Sequence, residues 1–237
     1  METKRIIVLA NSIKKKARCV AGVEVESDSV PAVPTRWIRP VSDALEGELE
    51  SQHMLIAGGG QLVLLDIVDI PLTVNSKDRL HPEDWVVDVS REWIRVGSAG
   101  RETLEPLEEK PANLWLESTS HTDRVKPEFL VKRSIHQSLY LIRPKEFRVE
   151  MSYEYNAFKK YNQKKTRTRF VYRGQEYLMS LTDPAFTDQY CTQFPALGEV
   201  PLTIRPPYRD RCLLCLSLTP ILNGYHYKVA AAVLEVP

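Results

Sequence analysis

Proline and glycine punctuation limits this chain more than any other feature. Sixteen prolines are spread through 237 residues, and the apolar runs between Gly, Pro, Asn and Asp are short. Proline removes a backbone donor and clashes with the preceding helical turn, so a fold built on long helices is excluded. The runs that remain are rich in Val, Ile, Leu and Tyr. Some alternate, as in Arg169-Phe170-Val171-Tyr172, which puts polar and apolar side chains on opposite faces of a strand. Strands are predicted over 5–10, 18–25, 35–39, 61–70 and 85–89, then over 139–143, 147–151, 169–172, 176–181, 212–218 and 225–235. Short helices are expected at 43–50 and 184–194, the second capped by Asp183 with Pro184 in its first turn.

The two strand series flank a segment, 97–127, that holds Gly97, Gly100, Pro106, Pro111 and Pro127 and little apolar material. The fold class expected is therefore all-β with minor helices, as two OB-like β-barrels in tandem. The first barrel takes 1–110, a linker 111–130, and the second barrel 131–237; a single β-rich domain is the alternative. With 43% hydrophobic and 27% charged residues, the chain reads as soluble and globular. No run approaches the roughly 20 apolar residues of a membrane span, and the apolar stretch after Met1 is too short for a signal-peptide core. Cys19, Cys191, Cys212 and Cys215 suit reduced thiols in a cytoplasm. No membrane partner is expected.

Charge is segregated along the chain. Residues 44–128 carry 17 Asp/Glu against 8 Lys/Arg, a net of −9, and residues 129–173 carry 12 Lys/Arg against Glu146, Glu150 and Glu154, a net of +9. Phe147, Tyr153, Tyr155, Phe158, Tyr161, Phe170 and Tyr172 are interleaved with the basic block. Cations beside rings suit a polyanion whose bases can stack. Lys159, Lys160, Tyr161, Lys164, Lys165, Arg167 and Arg169 are expected to form a charged loop feeding a strand at Arg169, with Tyr172 beyond it. The competing reading docks this block on the acidic half. A second basic loop is expected between the first two strands, either with Lys14, Lys15, Lys16 and Arg18 neutralising phosphate and Ser12 donating to it, or as a solubilising charged turn. In Trp37-Ile38-Arg39-Pro40-Val41, period-two alternation puts Trp37 and Arg39 on one face. That pair either stacks a base and holds its phosphate, or Trp37 is core and Arg39 a rim residue.

Other motifs carry less. Ser12 and Lys15 match S-x-x-K without its partner motifs. Gly58-Gly59-Gly60 precedes a strand, the wrong context for a dinucleotide loop, and reads as a tight turn. Asp66 and Asp69 fall on opposite strand faces. Cys212 and Cys215 have knuckle spacing without a second ligand pair and read as buried thiols. The five histidines show no ligand spacing. No metal, cofactor or catalytic residue is therefore expected.

Several strings together resemble a known family. Val8-Leu9-Ala10-Asn11-Ser12, Lys14, Arg18-Cys19-Val20-Ala21-Gly22 and Trp37-Ile38-Arg39-Pro40-Val41 are similar to the opening of the prokaryotic dual OB-containing domain family. His81-Pro82-Glu83-Asp84-Trp85, Tyr177, Thr182-Asp183-Pro184, Cys215-Leu216-Ser217-Leu218 and Tyr225 to Ala231 extend the resemblance over nearly the whole chain. It implies two OB folds and nucleic-acid or nucleotide binding in bacterial conflict and defence systems, and it carries over no catalytic residue.

The function expected is a non-enzymatic module for single-stranded RNA or DNA, with a protein from a defence operon as a further possible partner. The alternatives are a nucleotide-sensing or protein-interaction adaptor, with Gly58 to Gly60 and Trp37 lining a pocket between the barrels, and a nuclease or nucleotide hydrolase.

Overall fold

The structure, a computed structural model, describes residues 1–14, 17–25, 36–44, 47–115, 123–133, 137–157 and 160–236. The first sheet contains β1 (Glu2–Lys14), β2 (Ala17–Glu24), β3 (Trp37–Val41), β4 (Asp66–Asn75), β5 (Asp84–Val87) and β6 (Ile94–Ser98). Its order is β1-β2-β3-β5-β4-β6, and β1 also pairs with β4. Five strands therefore close on themselves, the strand count of an OB barrel, with β3 and β5 parallel.

A short β7 (Arg124–Val125) and helix α1 (Pro127–Lys132) lead into the second sheet. It comprises β8 (Leu139–Ile142), β9 (Lys145–Asn156), β10 (Tyr161–Tyr172), β11 (Gln175–Leu181), β12 (Leu202–Ile204), β13 (Cys212–Leu218) and β14 (His226–Glu235), in the order β12-β9-β10-β11-β14-β13-β8, with β7 beside β14. Helix α2 (Pro184–Tyr190) starts where its cap predicts: Asp183 accepts from the Phe186 amide, and Pro184 occupies the first turn. The other Asp183 oxygen accepts from the Val233 amide, which fastens the helix start to β14.

Three apolar clusters explain which runs alternate and which do not. Ile6, Val8, Val20, Ile38, Val68 and Ile70 fill the first barrel. Phe147, Val149, Met151, Phe170, Tyr177 and Leu214 fill the second core. Between them lies a seam in which Ile7, Leu9, Ala21 and Val23 meet Leu139, Leu141, Leu213, Cys215, Ala232 and Leu234. Alternate residues of β1 and of β13 enter different clusters, so both faces of each strand are buried. Unbroken apolar sequences such as Ile6 to Ala10 and Cys212 to Leu218 follow from that.

Several sequence expectations change. The expected helix at 43–50 does not form among its described residues: Gly47 has φ +68° and Leu49 bridges to Arg18. Two strands with little core contact, β6 and β12, were not predicted. In the expected linker 111–130, Leu114, Trp115, Val125 and Leu130 are all buried in the second core. The Trp115 indole donates to the Gln137 carbonyl at 3.0 Å.

Candidate nucleic-acid interface

The basic block is a strand where a loop was expected. β9 and β10 pair from Lys145 opposite Val171 to Asn156 opposite Tyr161. Their neighbours are shorter. β11 pairs with β10 only from Arg167 to Tyr172, and β12 pairs with β9 only at 149–151. Residues 152–156 and 161–166 therefore form a two-stranded ribbon that outgrows its sheet.

Register sorts the ribbon's side chains into two faces. Tyr153 faces Lys164, and Tyr155 faces Asn162, on the face that continues from the core residues Val149 and Met151. The Lys164 ammonium lies 4.9 Å from the centroid of the Phe194 ring. The opposite face carries Tyr161, Lys165, Arg167 and Arg169 beside Glu150 and Glu154. Tyr155 is 60% exposed and Tyr161 50%. Lys160, at the turn, is also exposed.

The outer face compensates much of its own charge. Arg169 binds Glu150 through Nε at 2.5 Å and Nη2 at 3.1 Å, and Glu176 through Nη1 at 3.0 Å. Lys165 pairs with Glu154 at 2.7 Å. Hydrogen bonding to Arg169 and Lys165 holds the Glu150 and Glu154 carboxyls below their ordinary range. These partners come from the second sheet itself. Contact with the acidic half is made between β8 and β9, where Arg143 meets Glu105 at 3.3 Å and Glu108 at 3.0 Å. Among the described residues, no carboxylate of the acidic half forms an ion pair with Lys164, Lys165 or Arg169.

The other predicted residues are placed differently. Tyr172 is buried, and its hydroxyl donates to the Pro111 carbonyl at 2.8 Å, so no base can stack on it. Trp37 is buried in the seam with its indole N–H on Glu109 at 3.0 Å; its core reading is the one observed. Glu109 also accepts from Gln137 at 2.6 Å and from the Leu141 amide at 2.9 Å, and burial raises its pKa. Arg39 is not a rim residue. It is buried, and its Nε donates to Asp84 at 2.5 Å. Burial opposes its charge, but Asp84 and Glu83 among its neighbours together raise its pKa. Ser12 is buried and donates to the Cys19 carbonyl at 3.4 Å. Arg18 reaches the Asn11 carbonyl at 3.4 Å. Where a loop is expected between the first strands, β1 and β2 stay paired as far as Lys14 opposite Ala17; Lys15, Lys16 and Lys159 lie outside the described residues, as does the Lys14 side chain. The structure thus puts Tyr161, Lys165, Arg167 and Arg169 on one face of β10, Lys164 on the other and Lys160 at the turn, while Ser12, Trp37 and Arg39 belong to β1 and β3 of the first sheet. Phe194 beside the ribbon and Glu176 beside Arg169 come unannounced, since only the folded chain brings them there.

One closed five-strand barrel, a second β-unit and an apolar seam between them make a two-unit β architecture. A family model of the dual OB-containing domain matches residues 4–233. The chain belongs to the dual OB-containing domain family. No curated protein matches it. In this dual OB protein a cleft of about 90 Å³ opens between the two units. Its polar wall includes Ser12, Arg39, Asp84, Thr182, Ser217 and Thr219, and Gly58 to Gly60 and Trp37 are not part of it. The three glycines make a turn with φ of +79°, +80° and +97°, which favours glycine. Cys212 and Cys215 are buried in β13, and burial raises both thiol pKa values, that of Cys212 to about 12. Among the described residues no group of three or more His, Cys, Asp or Glu is placed to hold a metal, and no helix is long and apolar enough to cross a membrane.

Proposed function

We propose that this dual OB protein is a non-catalytic binding module that holds single-stranded nucleic acid along the β9–β10 ribbon. The observation that carries the reading is the ribbon's extension beyond its sheet, which offers Tyr155, Tyr161, Lys160 and Lys164 to solvent. Stacking on an exposed ring contributes about 1–3 kcal/mol per base. A duplex keeps its bases stacked on one another, so single strands, RNA foremost, are the preferred ligand. The family resemblance supports a setting in bacterial conflict systems, with a protein partner from a defence operon, and four free thiols suit a reducing cytoplasm.

Because Arg169 and Lys165 already hold carboxylates, the number of phosphates neutralised is small. With about three contacts the salt slope is about −2, a weakening of roughly 20-fold between about 50 and 200 mM salt. Fluorescence anisotropy with single-stranded RNA, single-stranded DNA and duplex tests this. Changing Lys160→Glu and Lys164→Glu together is expected to weaken single-strand binding by at least about 10-fold. Folded protein that binds no oligonucleotide at low ionic strength would overturn the proposal.

A further inference from the structure

The seam between the two units also carries polar contacts. The turn between β4 and β5 reaches from the first unit into the second, where the Glu83 carboxylate accepts from the Ser138 amide at 3.0 Å and from the Ser138 hydroxyl. Two residues earlier His81, 2% exposed, lies between two oxygens. Its Nδ1 faces the Asp78 carboxylate at 3.2 Å, and its Nε2 faces the Leu218 carbonyl at 3.1 Å. Asp78 belongs to the same turn, whereas Leu218 ends β13 of the second unit.

Neither oxygen has a hydrogen to give. The Asp78 carboxylate accepts from the Leu80 amide at 2.8 Å, and its hydrogen bond to His81 holds it well below the ordinary carboxyl range. A neutral imidazole has one N–H and one lone pair, so it can satisfy one of the two acceptors and not both. Both contacts are hydrogen bonds when each ring nitrogen carries a proton. His226, whose ring centroid is 6.0 Å away, differs. Its Nδ1 donates to the Thr219 carbonyl at 2.7 Å, and its Nε2 is buried with no partner. Burial foremost, with His81 adding to it, lowers the His226 pKa, so the pair holds its one charge on His81. The other charged groups on the elements around it are engaged elsewhere. Glu83 binds Ser138, Asp84 binds Arg39, and Lys228 of β14 lies against Tyr177 and near Asp123. The adjoining end of β13, Ser217 and Leu218, carries no charge.

We infer that His81 is a proton-operated latch between the two units. With an N–H on each nitrogen it ties the β4–β5 turn to Leu218. When one proton leaves to solvent, the stronger acceptor, the Asp78 carboxylate, keeps the remaining N–H on Nδ1. The Nε2 lone pair then faces the Leu218 carbonyl, and the bond between the units is the one lost. The Glu83–Ser138 contact and the apolar seam remain, so the latch loosens one end of the joint without parting it. Ser217, Thr219 and Pro220, on either side of Leu218, line the cleft between the units. The protonation state of His81 therefore sets how firmly that wall of the cleft is held.

Long-range nitrogen–proton NMR of the imidazole rings in the full chain, from about pH 5 to about pH 9 so as to span the ordinary histidine range, tests the latch. At the acid end both His81 nitrogens are expected to carry hydrogen. At the alkaline end Nδ1 keeps its hydrogen and Nε2 does not. The Leu218 amide donates to the Ser138 carbonyl and the Thr219 amide to the Tyr227 carbonyl. Their exchange protection, corrected for intrinsic pH dependence, is expected to fall about 5-fold over the same step, as one lost hydrogen bond implies. The β1–β2 ladder should show no such step. His81→Gln, whose side-chain amide can donate to Leu218 at any pH, is expected to hold the protection constant, and His226→Asn to leave the step in place. A single N–H on His81 at the acid end, a remaining hydrogen on Nε2 at the alkaline end, or a protection step that survives in His81→Gln would overturn the inference. The wild-type spectra decide the matter even where a variant does not fold.

Discussion

Lys228 sits on β14 in the second unit with 1% of its surface exposed, its ammonium 5.5 Å from the centroid of the Tyr177 ring. Burial outweighs the neighbouring Asp123 carboxylate and lowers its pKa to about 8 from 10.5. The folded chain therefore releases this proton at lower pH than the unfolded chain. Below about pH 8 the folded state bears the full cost of a buried charge; the cost shrinks as pH rises and vanishes above the unfolded value. At about 1.4 kcal/mol per pKa unit, it amounts to about 3 kcal/mol near neutral pH and under about 1 kcal/mol near pH 10. Lys228→Met keeps the length and removes the charge. The variant is expected to be more stable than wild type by about 3 kcal/mol near pH 7, with most of that gain gone near pH 10. Urea denaturation of both proteins at the two pH values measures it. An equal gain at both pH values, or a variant less stable than wild type near neutrality, would refute the reasoning.

A methyl group on Gly22 would sit 2.1 Å from the Ile7 carbonyl oxygen, so Gly22→Ala is expected to cost about 3 kcal/mol in denaturant unfolding by forcing β1 and β2 apart. Arg169→Ala is expected to lose only about 1 kcal/mol near neutral pH, because its partners are partly solvated. Since Arg169 holds the Glu150 carboxyl below its ordinary range, that contribution is complete above the unfolded carboxyl pKa and fades as pH falls through the lower folded value; stability curves for wild type and variant should converge in acid. Cys19 is half-buried while Cys191, Cys212 and Cys215 are buried with raised pKa values. A thiol reagent should therefore modify Cys19 alone in native protein and the other three only after unfolding.

The sequence exposed those elements whose neighbours repeat a local rule. Asp183 and Pro184 mark a helix start because capping is a contact between near residues, and α2 begins there. The strand at Cys212 to Leu218 was found to the residue, because a continuous apolar run bounded by polar residues has few other uses. What that run touches was not legible: Leu214 enters one core and Leu213 another, a division set by the packing of two units. The ribbon was misread for the opposite reason. Residues 159–169 lack apolar alternation because the projecting part of β10 has no core beneath it, and a charged strand without a core looks like a loop. Trp37 and Arg39 were paired correctly on one strand, but their surroundings, Glu109 and Asp84, lie 72 and 45 positions away. Phe194 beside Lys164 of the ribbon is likewise distant in sequence.

The shared seam has a consequence for how this protein can be taken apart. A fragment cut near the middle of the chain would present an oily slab, with Ile7 and Leu9 on one piece and Leu213 and Leu234 on the other, to bulk water. Neither piece would dissolve as an honest miniature of the whole. Any partner that prised the two units apart would have to replace that greasy surface with its own.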